Sequence, residues 1–216
     1  MELKRVVVTG MGAITPLGNT IEDYWTGLIN GVSGADMITQ FDASKFRTKF
    51  ACEVKNFEPT QFLDKKEARK IDRFTQFALV VSDQAMTDAG LNKENINPDR
   101  IGVVFASGIG GLTTFQHEVT DFAKGDGTPR FNPFFIPKMI LDIAAGQISM
   151  RHNLRGPNFA VVSACASSTN AIMDAFNLIR LGKADIILTG GSEAVISEAG
   201  VGGFNAMKAM SERNDD

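Results

Sequence analysis

Cysteine is scarce in this sequence and occurs only at Cys52 and Cys165, in unrelated surroundings. Two such residues form neither a disulfide framework nor a CxxC metal motif, and they are typical of proteins from a reducing compartment. The first apolar run, Val6 to Val8, is too short for the core of a signal peptide and far too short to span a bilayer. We therefore expect a cytoplasmic protein that does not enter a membrane.

The sequence also lacks a strong excess of either charge. Its formal net charge is -3, which argues against a nucleic-acid partner. Hydrophobic residues make up 44% of the chain, as is usual for a globular protein with a buried core. We find no internal repeat, no low-complexity segment and no domain boundary.

Nucleotide-binding motifs are missing as well. No GxxxxGK[ST] loop occurs, and in the glycine cluster Gly10 to Thr15 the third glycine of the dinucleotide motif is replaced by Thr15. A tight turn that joins a strand to the next element is the better interpretation of this cluster.

Short apolar runs alternate with helical patterns along the chain. The runs are typical of strands buried on both faces of a parallel sheet, and they lie at Val6–Thr9, Ile101–Phe105, Phe159–Val162 and Ile186–Thr189. Helices are predicted from Lys65 to Ala89 and from Ala166 to Leu181, each followed by a glycine. This alternation predicts an α/β fold. Residues 125–137, rich in Gly, Pro and Phe, are predicted to be irregular.

Cys165 lies where a predicted strand ends and a predicted helix begins. The partial positive charge at a helix amino-terminus favours the thiolate, and free backbone N–H groups there can bind an oxyanion. The alternative is that Cys165 is a small buried apolar residue, which is the commonest role of a lone cysteine. Cys52 has no comparable setting.

The residues around Cys165 resemble the active-site signature of the β-ketoacyl-[acyl-carrier-protein] synthases. The signature runs from Gly156 through Val161 and Ala164-Cys165-Ala166-Ser167-Ser168 to Ile172. Further matches extend over the whole chain and lie at Val7–Gly12, Ser107–Gly111, Pro133–Pro137 and Gly190–Ala194. Within the family the chain is most similar to the elongating synthase II type.

The resemblance implies a thiolase-like fold with two pseudo-equivalent halves, each containing a mixed five-stranded sheet covered by helices. It also implies a homodimer that needs no metal or resident cofactor, since the substrates are carried on the phosphopantetheine of acyl-carrier protein. The family's enzymes are about twice as long as this chain. Residues 1–216 are thus expected to be the amino-terminal half. Two catalytic histidines, a lysine, a second oxyanion donor and a glycine-rich gate would belong to the other half, so this chain alone is expected not to condense.

Roles for individual residues follow from the same resemblance. Cys165 would be the nucleophile, and its backbone N–H would be one oxyanion donor. The acyl pocket would be lined by Ile109, Phe115, Val195, Gly200 and Phe204, while a loop with Phe134 and Phe135 would close the pocket of the second subunit. His117 and His152 match no catalytic motif, and we expect exposed or structural roles for them.

A basic cluster is implied to receive acyl-carrier protein. It comprises Lys65, Lys66, Arg69, Lys70 and Arg73, with Arg130 and Lys208 as further contacts. On its pattern alone, a solvated charged face is the alternative.

Other functions remain open at this stage. They are a polyketide ketosynthase, a coenzyme A-dependent enzyme of the same fold, and a non-catalytic partner subunit. The presence of Cys165 counts against the last of these.

Overall fold

The structure is a computed structural model that describes residues 3–92, 94 and 96–215. The helices and strands of these residues are, in chain order, α1 (Ile21–Ile29), β1 (Asp36–Met37), β2 (Phe50–Ala51), α2 (Lys65–Ala68), α3 (Arg73–Asp88), β3 (Ile101–Ala106), α4 (Leu112–Lys124), α5 (Phe135–Met139), α6 (Ile143–His152), β4 (Asn158–Phe159), α7 (Ser167–Arg180), β5 (Ile186–Gly191) and α8 (Glu198–Ala206). Short 3-10 helices lie at Pro59–Gln61, Pro98–Arg100 and Ala164–Ala166. Within the described ranges, no helix has both the length and the apolar character that a membrane crossing requires.

The core is built around β3, which lies between β4 and β5 and pairs in parallel with both. Every residue of β3 is buried, and its alternate side chains pack into two hydrophobic clusters on opposite faces of the sheet. Ile101, Val103 and Phe105 pack with apolar residues of α3 and α6, while Val104 and Ala106 pack with Ala171 of α7. The sheet is therefore covered by helices on both faces, and the predicted α/β class is confirmed.

The strand arrangement differs from the expected single mixed sheet of five strands. The described residues contain five strands in two separate sheets: the parallel sheet β4-β3-β5 and the antiparallel pair β1-β2. The predicted strand Val6–Thr9 is wrong, since this run belongs to no strand and Val8 is 80% exposed. Just beyond it, the backbone amides of Met11 and Ala13 donate to side chains of α3, so the segment lies along that helix and not in a β ladder.

The predicted continuous helix from Lys65 to Ala89 is also wrong, because the helix is interrupted. α2 ends at Ala68 and α3 begins at Arg73. The buried carboxylate of Asp72 explains the break, because it accepts the amide of Phe74 and the hydroxyl of Thr114 and so caps a new helix. The predicted end at Gly90 is confirmed, with Gly90 at a φ of +64°.

An ionic cluster joins α3 to α6. The Asp83 carboxylate accepts hydrogen bonds from Arg151, the shortest 2.7 Å, and lies 3.2 Å from Nε2 of His152. Burial acts to raise the pKa of Asp83, but the hydrogen bonds from His152 and Arg151 outweigh burial and hold this pKa below its ordinary value. His152 thus takes part in the contact between α3 and α6, which is a structural role as predicted, and His117 is exposed on α4.

We predict that Asp83→Asn lowers the melting temperature at neutral pH and makes it less sensitive to acid. A carboxylate whose pKa is lowered by folding stabilises the protein above its unfolded pKa of about 4, and this contribution is lost as the pH falls through the folded value. Thermal melts of parent and variant between about pH 7 and 3 measure the effect. Asp121→Asn, at an exposed position of α4, is the control. An equally steep loss of stability in parent and Asp83→Asn would contradict the prediction.

Candidate active site

Three loops leave the same edge of the parallel sheet. They follow β4, β3 and β5, and they comprise residues 160–166, 107–111 and 192–197. Because the strands run in parallel, their carboxyl ends lie side by side, and this edge is where open α/β sheets bind their ligands.

Cys165 lies in the first of these loops, in the 3-10 helix that precedes α7. Its side chain is exposed, so the predicted alternative of a buried apolar residue is wrong. The preceding residue, Ala164, has a φ of +52°, a left-handed conformation that costs a non-glycine residue roughly 1–3 kcal/mol. The chain thus makes a sharp, strained turn that presents the sulfur to the outside.

Side chains of α7 hold this turn in place. The hydroxyl of Ser167 donates to the carbonyl of Ala164 at 2.7 Å and accepts the amide of Ser163 at 2.8 Å. Asn170 donates to the hydroxyl of Ser163 at 2.7 Å. These hydrogen bonds hold the turn in place, and none of them involves the backbone amide of Cys165. The N-cap of α7 is Ala166, which makes no side-chain cap, and the amide of Ser167, the first of the helix, donates to the carbonyl of Ala164.

Glu193, in the loop after β5, binds the loop after β3. Its Oε2 accepts the amides of Gly108 and Ile109, both at 2.8 Å. Its Oε1 accepts the hydroxyl of Ser107 at 3.0 Å and the amide of Gly110 at 3.1 Å. One carboxylate therefore fixes four consecutive residues.

Four of the predicted acyl-pocket residues lie in the loops after β3 and β5 or in α8. Ile109 lies in the loop held by Glu193 and is 37% exposed. Val195 and Gly200 are close neighbours, since a Cβ on Gly200 would lie 2.1 Å from the carbonyl oxygen of Val195. Phe204 is half-buried further along α8. A hydrogen bond from Thr113 to Ala194 ties α4 to the loop after β5.

The remaining predicted pocket residues are aromatic. Phe115 of α4 and Phe135 of α5 stack with ring centroids 6.2 Å apart. Phe134 is separate from this pair, with Nζ of Lys70 5.4 Å from its ring centroid. The predicted irregular segment 125–137 is confirmed up to α5, which begins at Phe135.

The predicted docking cluster is exposed, but its members differ in their contacts. Lys65, Lys66 and Arg69 point into solvent at α2. Arg73, by contrast, lies over two rings, 5.3 Å from the centroid of Phe57 and 5.9 Å from that of Phe77. Of the outlying contacts, Arg130 pairs with Asp126 at 3.2 Å and Lys208 is exposed. The break between α2 and α3 places Lys66 and Arg73 on different helices.

Glu193 lies in the matched stretch Gly190–Ala194, but the resemblance assigned no role to this residue. The available signal was an acidic residue two positions after an apolar strand, in a chain that also contains a glycine-rich loop whose amides need an acceptor. Across the described ranges, no group of three or more His, Cys, Asp or Glu side chains could hold a metal ion. The predicted roles of the individual site residues stay predictions.

The chain is similar to known proteins over its full length. The sequence model of the protein family described as the β-ketoacyl synthase N-terminal domain matches residues 3–216. A 3-oxoacyl-[acyl-carrier-protein] synthase 2 of Synechocystis sp. is 48% identical over the whole chain, and that of Staphylococcus aureus is 45% identical over 98% of it. The chain spans about half the length of these relatives, 52% and 51%.

Solved structures agree with the sequence comparisons. The crystal structure of a β-ketoacyl synthase from Burkholderia phymatum is 30% identical, with a TM-score of 0.85 over 99% of this chain and 52% of that one. The ishigamide ketosynthase/chain length factor is 27% identical, with a TM-score of 0.84 over 97% of this chain and 52% of that one. The fold is therefore the thiolase-like fold of the ketosynthases, and the chain belongs to the β-ketoacyl synthase family, whose N-terminal domain it matches.

Proposed function

We propose that this chain forms the acyl-accepting half of an elongating condensing enzyme of fatty-acid synthesis. The observation that carries the proposal is the exposed thiol of Cys165 at the strained turn before α7. The names of the relatives support a fatty-acid condensing enzyme over the polyketide and coenzyme A alternatives.

In the first half-reaction, the Cys165 thiolate attacks the thioester carbonyl of an acyl group on acyl-carrier protein. The carrier's phosphopantetheine sulfur leaves as a thiolate, so the charge passes from one sulfur to the other. The amide of Cys165 would bind the oxyanion of the tetrahedral intermediate. The acyl chain would extend past Ile109 towards the aromatic side chains of α4 and α5.

In the second half-reaction, malonyl-carrier protein loses carbon dioxide. The electron pair of the broken carbon–carbon bond forms a new bond to the acyl carbon and expels the Cys165 thiolate. The energy of the thioester is retained on the enzyme between the two steps, which is why covalent catalysis suits this reaction.

Assembly and location belong to the same proposal. β4 is an edge strand of the sheet; its residue Phe159 is 39% exposed, and Val162 shortly after it is 57% exposed. Apolar edge strands are rarely left uncovered, which supports burial of this edge in a homodimer. Two unpaired cysteines support a reducing, cytoplasmic location.

We predict that Cys165 carries the acyl group. Incubation of the protein that contains this chain with acyl-carrier protein that bears an acyl group should add one acyl mass to the Cys165 peptide. Cys165→Ser should abolish this addition, because an alcohol ionises far less readily than a thiol. Peptide mass spectrometry checks the outcome. Cys52, which is also exposed, is an internal control, and acylation of Cys52 with Cys165 unmodified would refute the assignment.

We also predict that residues 1–216 alone do not condense. The histidines and the lysine that the family uses on the malonyl thioester have no counterpart here, and loss of even one oxyanion donor typically slows a reaction on the order of a hundred- to a thousand-fold. Product analysis after incubation with acyl- and malonyl-carrier protein is the measurement. Robust formation of 3-oxoacyl product by this chain would show that the site is complete without a second half.

A further prediction concerns carrier docking, for which Lys66 and Lys70 are the positions to change. Both are exposed, but Nζ of Lys70 lies over the ring of Phe134, as Arg73 lies over those of Phe57 and Phe77, so Lys66 is the cleaner position. Lys66→Glu, and more strongly Lys66→Glu with Lys70→Glu, should raise the KM for the acidic acyl-carrier protein and flatten its salt dependence. Acylation by a small thioester needs no docking surface and should be unaffected.

The matched control is Lys183→Glu. Lys183 is exposed and precedes β5, so it lies at the opposite edge of the sheet from Cys165. This reversal changes the net charge as Lys66→Glu does, and it should leave the KM unchanged. If both reversals act alike, or if the small thioester is affected as much as the carrier protein, the docking surface is not at α2.

A further inference from the structure

Glu193 connects two of the three loops at the carboxyl edge of the sheet. β3 and β5 pair up to Ala106 and Gly191, and the amide of Ser192 extends the ladder by donating to the carbonyl of Ala106 at 3.0 Å. The next residue, Glu193, is thereby held beside the end of β3. Its carboxylate accepts the four hydrogen bonds of the loop 107–110, two on each oxygen.

This loop depends on the carboxylate for its shape. Gly108 and Gly110 contribute no side chains to fix it, and Gly110 has a φ of +74°. Three consecutive amides point at Glu193, and hydrogen bonds to an ionised acceptor are about twice as strong as neutral ones. Without the carboxylate, the amides of Gly108 and Ile109 would lack their acceptor, the amide of Gly110 would keep only the hydroxyl of Ser107 at 3.0 Å, and the loop could adopt other conformations.

The same loop lies against the turn that carries Cys165. A Cβ placed on Gly108 would be 3.0 Å from Oε2 of Glu193 and 3.2 Å from the carbonyl oxygen of Ala164. The loop is thus enclosed between the carboxylate and the nucleophile's turn, and Ile109 projects from it with 37% of its surface exposed. A movement of the loop moves Ile109 relative to the sulfur.

We propose that Glu193 is a positioning residue that sets the place of Ile109 and thereby the length of acyl chain that Cys165 accepts. The inference rests on the proposed function, because it needs an acyl chain on Cys165. Glu193 acts through the loop and not on the acyl group itself. Its effect therefore falls on the choice between long and short chains.

The test is Glu193→Gln in the protein that contains this chain. An amide replaces one oxygen by an N–H donor, so either orientation of the glutamine directs a donor at a backbone amide that also donates. We expect the ratio of the acylation rates with palmitoyl- and hexanoyl-N-acetylcysteamine to change by about tenfold, the scale on which a reshaped apolar pocket discriminates. The amides of residues 107–110 should also exchange their hydrogens faster. Ile109→Phe, which fills the same space directly, should reject the palmitoyl probe.

The chain offers a closely matched control in Glu53. Its carboxylate also holds a loop, accepting the amide of Thr39 at 3.0 Å, the hydroxyl of Thr39 at 2.6 Å and the amide of Gln40 at 3.3 Å. Glu53→Gln makes the same chemical change at a loop that follows no strand of the central sheet. It should lower the melting temperature and leave the chain-length ratio unchanged.

The outcomes separate this inference from the proposed function. If the parent protein is acylated at Cys165 and folded Glu193→Gln keeps the parent ratio, or loses both probes equally, Glu193 does not position Ile109. If the parent accepts neither probe on Cys165, the proposed function fails, and hydrogen exchange still tests the hold on the loop. Should Glu193→Gln not fold, Ser107→Ala is the second variant. It removes one of the four bonds to Glu193 together with the hydroxyl that accepts the amide of Gly110, and it should shift the ratio in the same direction by less. An unshifted ratio there would overturn the inference.

Discussion

The parallel pairing of β3 with both of its neighbours is the interaction on which the rest of the structure depends. It buries all six residues of β3 and fixes the register of β4 on one side and β5 on the other. Parallel strands end at a common edge, so the pairing also fixes where three loops emerge. Cys165, Ile109 and Glu193 are far apart in sequence, and this pairing brings their loops together.

The candidate site combines a strained turn with a rigid surround. Ala164 adopts a left-handed conformation that Ser167 and Ser163 hold with short hydrogen bonds. Strain of this kind persists only where neighbouring contacts enforce it. The turn exposes the sulfur of Cys165, and the hydrogen bonds that hold the turn do not involve the backbone amide of Cys165. The carboxylate of Glu193 holds the facing loop in the same manner, so both walls of the site are fixed before a substrate arrives.

Local sequence signals predicted the parts of this structure that depend on local chemistry. Ile101–Phe105 and Ile186–Thr189 form strands as their apolar character indicated, and the signature around Cys165 located the exposed thiol. The signals failed where a tertiary contact decided the outcome. Val6–Thr9 has strand character but forms no strand, and residues 10–13 directly after it lie against α3. The long helix is broken by a buried carboxylate, Asp72, whose partner Thr114 lies far along the chain. The role of Glu193 likewise requires knowledge that β3 and β5 are neighbours.

The central claim is that the three loops form one acyl-binding site around Cys165. A crystal structure of the protein with an acyl group trapped on Cys165 tests it most directly. The account predicts that the acyl carbonyl oxygen lies about 3 Å from the amide nitrogen of Cys165, with the chain passing Ile109 and the loop 107–110 still bound to Glu193. An acyl chain that leaves the sulfur in another direction, away from the loop after β3, would contradict the account.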